Sequence, residues 1–326
     1  MKTSPSQDLC CPPIDAEVYQ RLAARVGRCH LDQRLGIEQD FEARIFGQGR
    51  TFFHIENWYS IHTLIRLVLR LCLLHARGQR NARHIEIRHN DFVLERLPKA
   101  FDGFTLLQVS DLHLDSAEDM PGALIGALDR AGDYDACVLT GDFRVKTFGP
   151  YKPALDALRK VRSHLRGPVY GILGNHDTLR MAPELEDMEI RMLLNEAVAI
   201  ERNGAAIYLA GIDDPHYYRA DNMEKATDPV PEDALSILLS HSPEMYRHAA
   251  YARFDVMLSG HTHGGQICLP GGFPIMLNAR APRAVCKGPW RYNRLQGYTS
   301  VGSGVCMVDV RLNCPPEITL HRLRCA

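Results

Sequence analysis

The sequence predicts an α/β layered fold, two sheets with helices outside them, on two observations. Short apolar runs of strand length alternate with longer helical stretches through the second two thirds of the chain. Several of those runs end abruptly in Asp, Asn or His. The strand-length runs are Thr105–Val109, Ala136–Leu139, Val169–Leu173, Ala206–Ala210, Leu235–Leu239 and Asp255–Leu258. Helical stretches fall between them at Ala117–Ala131, Tyr151–Leu165, Ala182–Asn195 and Pro243–Ala252. Further strands are expected at Gly297–Val301, Val305–Arg311 and Glu317–Leu323.

The part before residue 101 reads differently. It is rich in Arg and His, with a helical pattern at Ala16–Arg28 and a partly alternating stretch at His84–Leu94 that suits a strand. Residues 1–100 are therefore expected to form an N-terminal accessory segment, a helical arm, and residues 101–326 the main domain. The longest apolar run, Trp58 to Leu74 (WYSIHTLIRLVLRLCLL), is broken by Arg66 and Arg70 and falls short of a membrane-spanning helix. His62, Arg66 and Arg70 recur every four residues, as a narrow polar stripe. Two readings fit: a helix lying in a membrane surface with its arginines reaching phosphates, or a helix packed on the domain with its arginines at the rim.

Composition narrows the class. Hydrophobic residues make up 45% and charged residues 24%, enough apolar content for a real core. The net charge of -1 argues against a nucleic-acid-binding surface, which needs a concentrated basic face. The ten cysteines are scattered and form no CxxC, so neither a zinc ribbon nor a thioredoxin-like site is expected. The opening MKTSPSQDLCCPP lacks the apolar core of a secretory leader, which with scattered thiols gives the expectation of a cytoplasmic, reduced protein.

The chemistry lies at the strand ends. TLLQVS leads into Asp111-Leu-His113, CVLT into Gly141-Asp142, and VYGIL into Gly174-Asn175-His176-Asp177. SILLS leads into His241, and DVMLS into Gly260-His261-Thr262-His263-Gly264-Gly265. Ligand sites of α/β sheets gather at the carboxyl ends of strands, so these ends converge on one crevice. A single DxH or GD is commonly a turn or a cap. The ordered set of five is not, and its His, carboxylate and amide donors suit Mn, Fe or Zn. Two such cations about 3.5–4 Å apart clamp the attacking and leaving oxygens of a phosphoryl transfer.

The pattern DxH, GD, GNHD, H and GHTH resembles the calcineurin-like metallophosphoesterase superfamily from residue 103 to the end. GHTHGGQICLPGG and CPPEITLHRL look like its bacterial YkuE/YaeI-type subgroup, whose relatives include a UDP-2,3-diacylglucosamine pyrophosphatase of lipid A synthesis. The resemblance implies a four-layer αββα sandwich and two divalent metal ions, most readily Mn, with Fe or Zn as alternatives. It places Asp111, His113 and His263 on the first ion and Asn175, His241 and His261 on the second, with Asp142 bridging. It makes His176 the catalytic residue facing substrate, to stabilise the phosphoryl oxygens or protonate the leaving group.

One departure matters. Many members of this superfamily carry an Asp three residues after the bridging Asp to orient the GNH histidine, and here that position is Val145. Arg144 and Lys146 stand beside it, either as binders of a second phosphate or as solvated loop charges. His216-Tyr217-Tyr218-Arg219 suits either a cleft lining or loop packing, and Trp290-Arg291-Tyr292 either a lid or a plain loop. The expected activity is hydrolysis of a phosphodiester or diphosphate, with a lipid-linked substrate such as UDP-2,3-diacylglucosamine at the cytoplasmic face of the inner membrane through peripheral contact. The alternative is a soluble enzyme acting on a nucleotide, a small phosphoester or a phosphoprotein.

Overall fold

A computed structural model describes residues 14–43 and 59–326; the double cysteine at 10 and 11 and Trp58 lie outside the described residues. Two six-stranded sheets stack face to face. The first runs β1 (Glu86–Leu94), β14 (Glu317–Cys325), β2 (Thr105–Val109), β3 (Ala136–Leu139), β4 (Val169–Gly171) and β5 (Ile190–Met192). Strands β2 to β5 are mutually parallel, β14 is antiparallel to β2, and β1 is parallel to β14. The second runs β12 (Gly288–Tyr292), β13 (Leu295–Thr299), β9 (Val256–Ser259), β8 (Ser236–Leu239), β7 (Ala205–Gly211) and β6 (Glu196–Arg202). Its central strands β13, β9, β8 and β7 are parallel, and both edges are closed by antiparallel hairpins.

Alternation along each strand sorts side chains to the two faces. Leu106, Val138 and Ile172 meet Leu209, Ile237, Leu239 and Leu258 between the sheets. The opposite face of the first sheet, with Leu107, Leu139 and Val169, packs under α1 (Ala16–Val26), α2 (Arg28–Ala43), α5 (Met120–Leu128), α6 (Lys152–Arg162) and α7 (Ala182–Asp187). The second sheet's outer face receives α8 (Met223–Thr227) and α9 (Tyr246–Tyr251) through Ala226, Tyr246 and Ala249. The four-layer αββα sandwich follows from this sorting.

Packing is continuous across residue 100. Strand β1 is the edge of the first sheet, and α1 and α2 bury Leu22, Val26, Leu31 and Leu35 in its outer core. Helix α2 is also tied by charge. The buried Arg34 guanidinium donates to Glu38 Oε1 at 2.7 Å and to Asp213 Oδ2 at 3.2 Å, and lies 3.4 Å over the Tyr218 ring.

Three expectations about elements are corrected. The helix expected over Ala182–Asn195 stops at Asp187: Glu189 adopts a left-handed φ of 59° and Ile190–Met192 pairs with β4 instead. Val305–Arg311 is not a strand, because the buried Arg311 guanidinium takes the carbonyls of Val301, Gly302 and Gly304, which coils the segment around it. Trp290-Arg291-Tyr292 is neither lid nor loop but part of β12, with Trp290 Nε1 donating to Thr299 Oγ1 at 2.9 Å.

Helix α3 (Tyr59–Leu71) docks through Ile65 and Leu69 on Val308, Val310 and Leu312. His62 points inward and is buried, so the expected His/Arg stripe does not face one side. The outward face is apolar: Leu64, Leu67, Val68 and Leu71 are 58%, 53%, 48% and 75% exposed. Among the described residues no helix is long and apolar enough to cross a membrane.

Replacing Arg34 with Ala leaves the buried Asp213 carboxylate without its arginine and takes one of two arginines from Glu38, which keeps Arg180; it is expected to cost about 3–5 kcal/mol of folding stability. Urea unfolding measures this. A variant as stable as the parent would show that α2 is not integral to the first sheet.

Candidate metal centre

The strand ends meet at one end of the sandwich. Asp111 and His113 follow β2, Asp142 follows β3, and Asn175 and His176 follow β4; His241 follows β8, and His261 and His263 follow β9. All these side chains are buried. The local backbone is unusual: Asp111, His113, Asp142, His261 and His263 have φ of 48°, 41°, 59°, 69° and 49°. Non-glycine residues avoid this region, and such outliers cluster where function over-determines the chain. Glycine is required nearby for a different reason. A Cβ at Gly174 would overlap the Asp142 carboxylate, and one at Gly260 would overlap Ser110 Oγ and Asp111 Oδ2.

Asp142 lies at the middle. Its Oδ1 accepts the His176 backbone N–H at 2.9 Å, while Oδ2 is 3.6 Å from His113 Nε2 and 3.2 Å from His241 Nε2. One oxygen, not two, therefore faces both halves of the cluster. On one side His113 Nε2 lies 3.2 Å from His263 Nε2, which is 3.4 Å from Asp111 Oδ1. On the other, Asn175 Oδ1 lies 2.7 Å from His261 Nδ1 and 3.0 Å from His241 Nε2. Among the described residues the Asn175 Nδ2 has no hydrogen-bond partner, and the amide turns its oxygen, the better metal donor, toward the histidines.

Carbonyls set the histidine orientation. His113 Nδ1 lies 2.8 Å from Arg144 O and His241 Nδ1 lies 2.7 Å from Thr140 O; with Nδ1–H donating there, each ring points Nε2 at the centre. His176 Nδ1 does the same to Val145 O at 2.7 Å. The Val145 backbone is in turn held by Asp115 Oδ1, which accepts its N–H at 2.7 Å. A main-chain carbonyl thus fills the place of the missing orienting Asp.

Electrostatics fit divalent cations. Burial disfavours the charged forms of His113, His261 and His263 and keeps these rings neutral, as metal ligands must be; Arg311 adds to this at His263. Burial opposes charge on His241 as well, but Asp142 and Asp111 outweigh it and push its pKa up to about 10. Asp142 is itself buried, yet His241 and His176 hold it well below the usual carboxylate range. Burial, then Asp142, raises Asp111 against the opposing pull of His241. Buried oxygen and nitrogen donors thus converge where positive charge is favoured. Donor atoms of His113, Asp142 and His176 lie within 4.8 Å of one another, as do those of Asp142, His241 and His261, and those of His113, His263 and Cys306.

Two expected substrate residues separate. Arg144 is buried and its guanidinium donates to the carbonyls of His176 at 2.6 Å and Gly149 at 2.7 Å, so it holds loops together. Lys146 is exposed. His216 reaches the centre, its ring 4.2 Å from that of His261 and its Nδ1 2.9 Å from Glu244 Oε1, whereas Tyr217 and Tyr218 are buried as packing.

Sequence reasoning gave no role to Asp177. Its Oδ2 accepts the N–H groups of Asp142 at 2.8 Å and Gly174 at 2.9 Å, and its Oδ1 that of Phe143 at 2.9 Å. Burial and Asp142 raise its pKa to about 7. The signal was the fourth letter of GNHD. Arg311, which donates to the carbonyls of His263, Val301 and Gly304, carried no sequence signal of its own.

A four-layer αββα sandwich with clustered His, Asp and Asn at its strand ends defines a metal-dependent phosphoester hydrolase. Comparison with known proteins agrees: the chain belongs to the calcineurin-like phosphoesterase family, whose model matches residues 104–265. It is 30% identical to the uncharacterized metallophosphoesterase YkoQ of Bacillus subtilis (strain 168), over 67% of this chain and 83% of that protein. Identity to the uncharacterized metallophosphoesterase YkuE of the same organism is 27%, over 74% and 86%. A bovine (Bos taurus) transmembrane protein with metallophosphoesterase domain is 30% identical over 72% of this chain, which spans 56% of that protein's length. The family depends on two metal ions.

Asp177→Ala removes the acceptor for three loop N–H groups. It is expected to weaken metal binding by about 10–100-fold, the usual effect of losing a residue that orients ligands. Titration calorimetry with Mn(II) reads this; unaltered affinity would show that the two loops hold their places without it.

Proposed function

We propose that this chain hydrolyses a phosphodiester or diphosphate bond of a lipid-linked substrate, UDP-2,3-diacylglucosamine being the candidate, at the cytoplasmic face of the inner membrane. The ions would be held by Asp111, His113 and His263 at the first position and by Asn175, His241 and His261 at the second, with Asp142 Oδ2 turned to both. Bound cations supply Lewis-acid polarisation of the phosphoryl group and a nucleophilic water at neutral pH. Manganese suits the oxygen and nitrogen donors of this set. His176 donates Nδ1–H to Val145 O and turns Nε2 inward; with Nε2 protonated as well, that second N–H would hydrogen-bond the phosphoryl oxygens or pass its proton to the leaving group. Lys146, exposed beside Val145, is the remaining candidate for a second phosphate.

The lipid reading is carried by one observation, an exposed apolar rim. The outward leucines of α3 belong to a helix packed near Ile267, and the next turn of chain, β10 (Cys268–Leu269) with β11 (Phe273–Pro274), exposes Leu269, Phe273, Ile275 and Met276. This hairpin lies against the metal loop: a Cβ at Gly265 would meet Met276 O at 2.9 Å. Exposed apolar side chains on these two segments, with Arg66 and Arg70 exposed on the same helix, suit an anionic bilayer. In this reading α3 and the following α4 (His75–Arg83) are the accessory part of the N-terminal segment.

Purified protein with Mn(II) is expected to cleave UDP-2,3-diacylglucosamine, and Asn175→Ala or His261→Ala to abolish turnover. Hydrolysis of a generic aryl phosphodiester alone would overturn the lipid reading in favour of a water-soluble ester. Leu67→Asp, on the exposed face, should lower co-sedimentation with anionic phospholipid vesicles by at least about tenfold, since a buried leucine contributes about 1.5–3 kcal/mol. Equal sedimentation would place membrane contact elsewhere.

A further inference from the structure

Cys306 has no counterpart in the DxH, GD, GNHD, H, GHTH pattern, yet it faces the same centre. It sits in the irregular stretch that coils around Arg311. Both ends of the Gln266 amide hold it there: Cys306 N–H donates to Gln266 Oε1 at 2.9 Å, and Gln266 Nε2 donates to Cys306 O and Val308 O, each at 2.8 Å. Gln266 directly follows GHTHGG, so one loop carries His263 and also fixes Cys306. The Sγ shares a cluster with the donor atoms of His113 and His263, all within 4.8 Å of one another, and lies 3.8 Å from His176 Nε2. These are two imidazoles of the first metal position and the imidazole placed toward substrate. A thiol held among them by a dedicated backbone clamp has the chemistry of a ligand, not of core packing.

We propose that Cys306 supplies a sulfur ligand to the first metal position, beside His113 and His263, and biases that position toward zinc or iron over manganese. The inference rests on the two-cation assignment above. Forming the sulfur–metal bond breaks the S–H bond, with the electron pair kept on sulfur and the proton released to solvent. Thiolate is a soft donor and selects zinc or iron, whereas the second position, built from Asn175, His241, His261 and the Asp142 oxygen, has oxygen and nitrogen alone. The two positions therefore differ in preference: the second keeps the oxygen and nitrogen donors that suit manganese, and the added sulfur shifts the first toward zinc or iron.

The test loads the full-length protein with Co(II). A near-ultraviolet thiolate-to-cobalt charge-transfer band is expected in the parent and in the C29S/C72S variant, which lacks two exposed thiols. The band should vanish in C306S while cobalt content stays the same. Cobalt bound without the band in the parent overturns the sulfur ligand and leaves the two-cation reading standing; no cobalt bound overturns both. Zinc X-ray absorption of the parent needs no variant: a sulfur scatterer near about 2.3 Å supports the proposal and a shell of only nitrogen and oxygen overturns it. In competition, the parent's preference for Zn(II) over Mn(II) should exceed that of C306S by at least about tenfold. Equal preference overturns the bias.

Discussion

One buried carboxylate fixes the distance between two ligand loops. Asp177 binds the backbone on both sides of the first crevice, and its grip sets where Asp142 and Asn175 can stand relative to each other. The grip is itself held from outside the sheet. Arg34 donates to Asp177 O at 3.2 Å, and Glu38 accepts from Leu179 N at 2.8 Å and from Thr178 Oγ1. Force therefore passes from α2 to the loop, from the loop to Asp177, and from Asp177 to the ligand backbone. Left-handed ligand residues cost on the order of 1–3 kcal/mol each when nothing constrains them. Such cross-ties are what keep them in place.

The electrostatics extend the same arrangement. Burial disfavours charge on three imidazoles, two carboxylates crowd one pocket, and those carboxylates pull His241 toward its charged form, a charge that bound cations would supply in its place. The cluster is built around a charge that the chain supplies poorly by itself. Carbonyl partners at Nδ1 of His113, His176 and His241 make the ring orientations a property of the backbone. That explains how Val145 can stand where the sequence pattern led one to expect a carboxylate.

The strand ends could be read in the sequence because burial writes a plain signal. Thr105–Val109 and Ala136–Leu139 are apolar runs cut off by a donor residue, and both are strands with those bounds. Helix α2 left no such trace. Its inner face carries Arg34 and Glu38 along with Leu31 and Leu35, so no apolar stripe marks it. The same blindness hid Arg311, whose partners are carbonyls that no side-chain pattern reveals. The backbone contacts of Arg144 were equally hidden: a charge beside a ligand reads as a phosphate binder, and only the structure shows it buried on two carbonyls. His176 was legible as a residue but not in its orientation, which depends on a main-chain oxygen.

Strand β14 lies between β1 and β2, hydrogen-bonded along its whole length to a strand from the first hundred residues. A shortened chain starting at residue 101 would leave that nine-residue strand with one flank of bare N–H and C=O groups. An open flank of that length templates pairing with another molecule. Strand β1 thus covers an edge that would otherwise be open, and its removal would expose the last strand of the sheet to pairing before any question of catalysis arose.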